Sequence, residues 1–216
     1  MKTLEPSLTY FGPFTQKFRI QAHQLIAWGY QDALHEIRTC NGEETSITGF
    51  IAEAIDDRFC VLDCPRWCNH YSVHDDPPVK KEGRSGKGRP RTDIILRANF
   101  SGRPAYVFEA KRLQKNRYEV GRYANEEGMG CFTSGLYASR YDEAAMIGYV
   151  QSGSLLYWQD KLKRKIEKDK SKLRLRTSQR DAKVIDTFPL EWISEHERDS
   201  IGRPITIYHI LLDCCS

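Results

Sequence analysis

The sequence contains no run of about 18 uninterrupted apolar residues, so no membrane-spanning helix is expected. Its opening residues, MKTLEPSLTY, lack the apolar core of a secretory signal peptide. No P-loop, Ser-centred nucleophile elbow or paired Cys–His signature occurs. NTP hydrolysis and covalent catalysis are therefore left without support. No internal repeat is present. The glycine spacing within 83–88 is not framed by a strand, turn and helix, so it is not a dinucleotide fingerprint. A strong overall charge is missing too: 33 basic residues stand against 29 acidic ones, a net charge of +4.

What the chain does have is enough apolar material, 40% of its 216 residues, for a sizeable core. Its charge is unevenly placed. Residues 161–183 hold 11 basic and 3 acidic residues, leaving 22 basic against 26 acidic elsewhere. That asymmetry suits a polyanionic partner better than the net value does. The seven cysteines are an odd number. Free thiols in a reducing cytoplasm are expected.

Apolar periodicity predicts a helix over 17–39, through Ile20, Leu25, Ile26, Ala33, Leu34 and Ile37. Asn41-Gly42 ends it. A second helix is expected over 43–58, where Ile47, Ile51 and Ile55 share one stripe. Glu44 extends that stripe one turn upstream, so a carboxylate ends the core-facing side. Strands are expected at 59–63 and 70–74, followed by a loop, DDPPVKKEGRSGKGRPR. TDIILRANF and AYVFEAKRL read as a hairpin joined by SGRP. Further strands are expected at 144–150 and 205–213, with a basic-ended helix at 153–170 between them. The pattern predicts an α/β fold, a central mixed sheet flanked by helices. The whole of 1–216 is expected as one domain, with a core near 40–160 and a basic extension over 161–216.

The polar residues of the hairpin carry the chemistry. Glu109 and Lys111 are two apart on a strand and share a face. Asp93 starts the partner strand, and folding back at SGRP brings it to Glu109. Two adjacent carboxylates repel and resist desolvation. A divalent cation relieves that repulsion, and Mg²⁺ favours a few carboxylate oxygens with water and phosphate. Lys111 beside it would orient a water or stabilise phosphate charge. The set suits metal-assisted hydrolysis of a phosphodiester.

This arrangement resembles the PD-(D/E)xK nuclease superfamily, with its restriction-endonuclease-like fold. Glu44 on a helix, Asp93 on a strand, and Glu109-Ala110-Lys111 on the next strand carry the resemblance, over residues 40–115. Thr92 stands where the motif's proline would be, with Pro90 nearby. The resemblance implies Mg²⁺ or Mn²⁺ held by Asp93, Glu109 and the Ala110 backbone carbonyl. It also implies Lys111 beside the attacking water, and Glu44 as an outer ligand. It implies an endonuclease acting on DNA, with the double-stranded form the expected substrate. Such small nucleases resemble restriction or phage-defence effectors, held in check by a regulatory partner or by self-assembly. The competing readings are an RNase and a non-catalytic nucleic-acid-binding or assembly protein.

Around this core, Lys87, Arg89 and Arg91 precede Asp93 and are candidate phosphate contacts, as are Lys163 and Lys165 in the basic segment. Gln151 would orient water or phosphate, or make a strand-end hydrogen bond. Cys60, Cys64, Cys68, His70 and His74 are suitable zinc ligands. They lack the Cys-x₂-Cys knuckle, and buried free thiols are the expectation. Asp75 and Asp76 are expected in a solvated loop end, and His196 and Arg198 in a surface ion pair.

Overall fold

The computed structural model describes residues 12–39, 42–79, 89–100 and 102–215. Three helices come first: α1 (Gly12–Asp32), α2 (Leu34–Thr39) and α3 (Glu44–Phe59). Then follow β1 (Tyr71–Asp75), β2 (Ile94–Ala98) and β3 (Ala105–Leu113). Two short helices, α4 (Val120–Ala124) and α5 (Met129–Thr133), lead to β4 (Glu143–Val150). The chain closes with α6 (Leu155–Lys168), α7 (Lys170–Leu173), β5 (Arg180–Ala182), β6 (Glu191–His196) and β7 (Ile205–Asp213).

The seven described strands join one sheet in the order β1-β2-β3-β4-β7-β6-β5. β3, β4 and β7 run parallel to one another, and the outer pairings are antiparallel. The protein is thus α/β, with an open mixed sheet flanked by helices. Parallel strands are covered on both faces, which is why β4 and β7 read as continuous apolar runs. Their alternate residues feed two cores. Ala145, Ile147, Tyr149, Ile210 and Leu212 face α1 and α3, with Leu25, Ile26, Ile47, Ile51 and Ile55. Ala144, Met146, Ile207 and Leu211 face α4, α5 and α6, with Tyr123, Phe132, Trp158 and Leu162.

The hairpin, the 43–58 helix and the strands at 70–74, 144–150 and 205–213 form as the sequence predicts, within a residue or so. Four readings change. The 17–39 helix is divided at Ala33, and Ile20 lies on its exposed side. The strand expected at 59–63 does not form: α3 runs to Phe59 and the chain then turns, leaving Leu62 fully exposed. The apolar run there has no neighbour to pair with. β5 and β6 were not expected. Residues 161–216 supply half of α6 and three strands, one of them central, and α1 lies before residue 40; the sheet and its helices extend beyond both limits of the expected core.

α1 and α3 meet closely at Gly29. A methyl group there would stand 2.5 Å from Ile55 Cγ1 and 2.6 Å from the Ile51 carbonyl oxygen. The helix propensity gained by Gly29→Ala is about 1 kcal/mol. Overpacking against a backbone atom costs about 1–3 kcal/mol, because the carbonyl cannot rotate aside. Gly29→Ala is therefore expected to lower the urea midpoint. An unchanged or higher midpoint would show that the two helices part freely.

Candidate active site

The site forms where β2 stops short of β3. The last β2–β3 pair is Ile94 with Phe108, so β3 continues beyond its partner. In a strand, the N–H groups of alternate residues point to the same edge. Those of Ala110 and Arg112 therefore face the vacated side and need acceptors. Two carboxylates supply them. Asp93 Oδ2 accepts from Ala110 N at 2.6 Å, and Glu44 Oε2 accepts from Arg112 N at 3.1 Å. Asp93 holds its place because its own carbonyl accepts from Asp76 N at 2.9 Å. Glu44 reaches β3 from the first turn of α3, whose Ile47, Ile51 and Ile55 are fully buried.

Lys111 stands among the acids. Its Nζ lies 2.7 Å from Glu109 Oε1, 3.3 Å from Glu44 Oε1 and 3.9 Å from Asp93 Oδ2. Glu109 is only 4% exposed, and its Oε2 is buried without a hydrogen-bond partner. The four residues singled out in the sequence thus converge, 67 residues apart at the extreme.

Their electrostatics follow from crowding. Burial, then the Asp93 charge, pushes the Glu109 carboxyl well above its ordinary range. Burial raises Asp93 too, against the pull of Lys111 and the Ala110 amide. Lys111 is raised despite its burial, because Glu109, Asp93 and Glu44 all favour its charge. These shifts are compatible. One ammonium gains from three carboxylates, while each carboxylate receives only a share of one ammonium. The cluster is short of positive charge.

The remaining candidates scatter. Arg91 is tied to Asp76 at 2.6 Å, two residues before Asp93, and its carbonyl accepts from Tyr137 Oη at 2.5 Å. Arg89 lies just upstream and half-buried, and Lys87 falls outside the described residues. Gln151 Nε2 donates to the Gly42 carbonyl at 2.6 Å, so it braces the loop before α3. Lys163 pairs with Asp181 of β5 at 2.6 Å. That strand is four places from β3, about 19 Å at ordinary strand spacing. Lys165 pairs with Asp169 at 2.8 Å. The structure does not bring these two lysines to the acidic cluster.

Two expectations are corrected. His196 and Arg198 are buried rather than on the surface. Arg198 donates to the carbonyls of Ala138, Tyr141, Arg203 and Pro204 at 2.9–3.2 Å. Of the proposed thiols, Cys68 is buried, Cys64 intermediate and Cys60 exposed; all the described cysteines are free. Among the described residues, no three His, Cys, Asp or Glu side chains gather as a ready metal-binding group. No described helix is long and apolar enough to cross a membrane.

Sequence reasoning missed Arg112. Its amide is capped by Glu44, its guanidinium donates to the Gly42 carbonyl at 3.2 Å, and Glu43 lies 3.6 Å away. Its position directly after Lys111 was the available signal. Compared with family models, curated proteins and solved structures, the chain finds no match.

Proposed function

We propose that this protein is a divalent-cation-dependent phosphodiesterase acting on DNA, built on a restriction-endonuclease-like arrangement of sheet and helices. One observation carries the reading: Asp93, Glu109, Lys111 and Glu44 converge where β2 gives out. The donor set fits a hard cation. Glu109 Oε2 is a buried oxygen without a partner, and the Asp93 and Glu109 carboxyls are both raised, chiefly by desolvation. Asp93, Glu109 and the Ala110 carbonyl would hold Mg²⁺ or Mn²⁺. Bound there, the ion supplies charge neutralisation at the phosphate and a more acidic water.

The chain's own residues do the rest. Lys111 keeps its proton at neutral pH, so it acts as a hydrogen-bond donor and not as the base. It orients a water or holds a phosphate oxygen. Glu44 fixes Lys111 from the α3 side and ties the helix to the Arg112 amide. Restriction or antiviral defence is the setting this reading proposes.

The test is purified protein with plasmid or linear DNA and Mg²⁺ or Mn²⁺, beside Lys111→Ala and Asp93→Ala. Metal-dependent cutting lost in both variants supports the reading. Equal cutting by wild type and variants would sink it. A second reading, a non-catalytic nucleic-acid-binding protein, has one observation in its favour. Lys111 already sits among the acids, and no ready metal group is gathered among the described residues. Metal-independent binding without cutting under any condition would decide for it.

A further inference from the structure

Beyond Leu113 the chain enters a tight turn. The amides of Gln114 and Tyr118 each donate to the other's carbonyl at 2.9 Å, with Asn116 at φ 62° between them. Lys115 N donates to Ser152 Oγ at 2.8 Å, which fixes the turn to the loop after β4. This rigid turn assembles aromatic rings and cations in alternation. The Arg112 guanidinium lies 3.9 Å from the Tyr118 ring centre, and that of Arg117 lies 5.0 Å away. Lys115 Nζ lies 4.6 Å from the Tyr157 ring centre, and Lys161 Nζ 5.0 Å. Glu119 accepts from Lys161 at 2.9 Å, joining turn and helix α6. Leu156, beside Tyr157, is 66% exposed.

The ridge is continuous with the acidic site. Arg112 begins it, and the Glu44 carboxylate that caps the Arg112 amide also contacts Lys111. Rings interleaved with cations suit two features of nucleic acid at once. The cations meet phosphates, and the rings offer faces to bases. Both rings are half-buried; Arg112 is held by the Gly42 carbonyl and Glu43, whereas Lys115 and Arg117 are exposed and can swing aside for an incoming base. A duplex presents no free base faces along its length and would leave the rings unused.

Resting on the nuclease reading above, we propose that the ridge Arg112–Tyr118–Lys115–Tyr157 is a landing track for unpaired nucleotides beside the scissile phosphate. The substrate is then single-stranded DNA, or a duplex with an unpaired tail, and not blunt duplex.

The test is fluorescence anisotropy with a fluorescein-labelled single-stranded oligonucleotide, in EDTA so that nothing is cut. Tyr118→Ala and Tyr157→Ala are each expected to weaken binding about tenfold. Tyr118→Trp, which keeps a stacking face, is expected to bind as wild type does. Circular dichroism checks that each variant is folded. Several outcomes overturn the track: tyrosine variants that bind as wild type does, blunt duplex or polyglutamate competing as well as the single strand, or no binding at all. A cutting assay in Mg²⁺ separates the two claims. Tyrosine-dependent binding without cutting removes the nuclease and leaves the track. Equal cutting of blunt duplex by wild type and tyrosine variants removes the track and leaves the nuclease.

Discussion

Glu109→Gln is expected to lower metal-dependent DNA cleavage by at least about 10²-fold while leaving the metal-free protein no less stable. The two effects have one cause. The raised Glu109 pKa means that the folded state binds its proton more tightly than the unfolded chain does. Its contribution to stability is therefore present at low pH and is lost as pH rises through the folded value. At neutral pH an ionised Glu109 weakens the fold, and the amide removes that penalty. The amide oxygen still accepts from Lys111, now 2.7 Å from Oε1. Lys111→Ala should behave differently. It leaves three carboxylates without their shared ammonium, and losing one partner of a buried pair costs about 3–5 kcal/mol. Thermal melts with and without Mg²⁺ separate the cases. Mg²⁺ is expected to raise the melting temperature of wild type, and to restore part of what Lys111→Ala loses. It should move Glu109→Gln little. A Glu109→Gln protein that cuts normally, or responds to Mg²⁺ as wild type does, would remove the carboxylate from the site.

Stability is expected to fall by about 3 kcal/mol from His196 alone as pH drops from 7 to 4. Its imidazole is buried and its pKa is depressed from 6.5 to about 4, chiefly by desolvation. A lowered histidine pKa makes the unfolded chain the better proton binder. The stability is complete above pH 6.5 and disappears across the window down to about 4, with about 2 kcal/mol already gone at pH 5.

The hydrogen bonds explain the preference for the neutral ring. Leu173's carbonyl, 2.7 Å from His196 Nδ1, can only accept, so Nδ1 carries the proton. Ser194 Oγ, 2.7 Å from His196 Nε2, then donates to it. His209 Nε2 donates to Ser194 Oγ at 2.7 Å, and Tyr123 donates to His209 Nδ1 at 2.9 Å. Every group in this chain is satisfied once, with no charge. A proton added to either ring reverses donors along this chain, Tyr123 turning to the Met146 carbonyl, and leaves a charge buried in it. Burial also pulls His209 far below its ordinary value, and His196 adds to that, so the total loss exceeds the His196 share. Asp93, Glu109 and Glu143 are raised and act in the opposite sense, so a single pH profile mixes both. Comparing urea midpoints of wild type and His196→Asn isolates the ring. The variant should start lower at pH 7 and lose clearly less on acidification. Parallel profiles would refute the assignment.

The elements whose burial follows a simple period were legible. The Ile47–Ile51–Ile55 stripe placed α3 and pointed Glu44 at the sheet. The spacing of Glu109 and Lys111, with the SGRP turn, placed three of the four site residues. β6 was not legible, because Glu191, Ser194 and His196 are polar and yet buried. Glu191 Oε1 lies 2.8 Å from His23 Nδ1, and its Oε2 accepts from Val184 N and Ile185 N. Arg198 read as a surface cation for the same reason. Its carbonyl partners Ala138 and Tyr141 lie 60 and 57 residues away, and local pattern carries nothing of them. The aromatic ridge was hidden likewise, since the arginines lie on Tyr118, the lysines on Tyr157, and the turn meets α6 across 42 residues, through Glu119 and Lys161.

The position of β7 sets the order of assembly. It is the last strand along the described chain, yet it lies between β4 and β6, and in the described sheet β5 and β6 pair with the other strands through it. Until it inserts, β4 presents an unprotected, apolar edge to any strand that comes by. Folding should therefore end with a slow, long-range closure. Truncation within 205–213 should yield inclusion bodies rather than a smaller working protein.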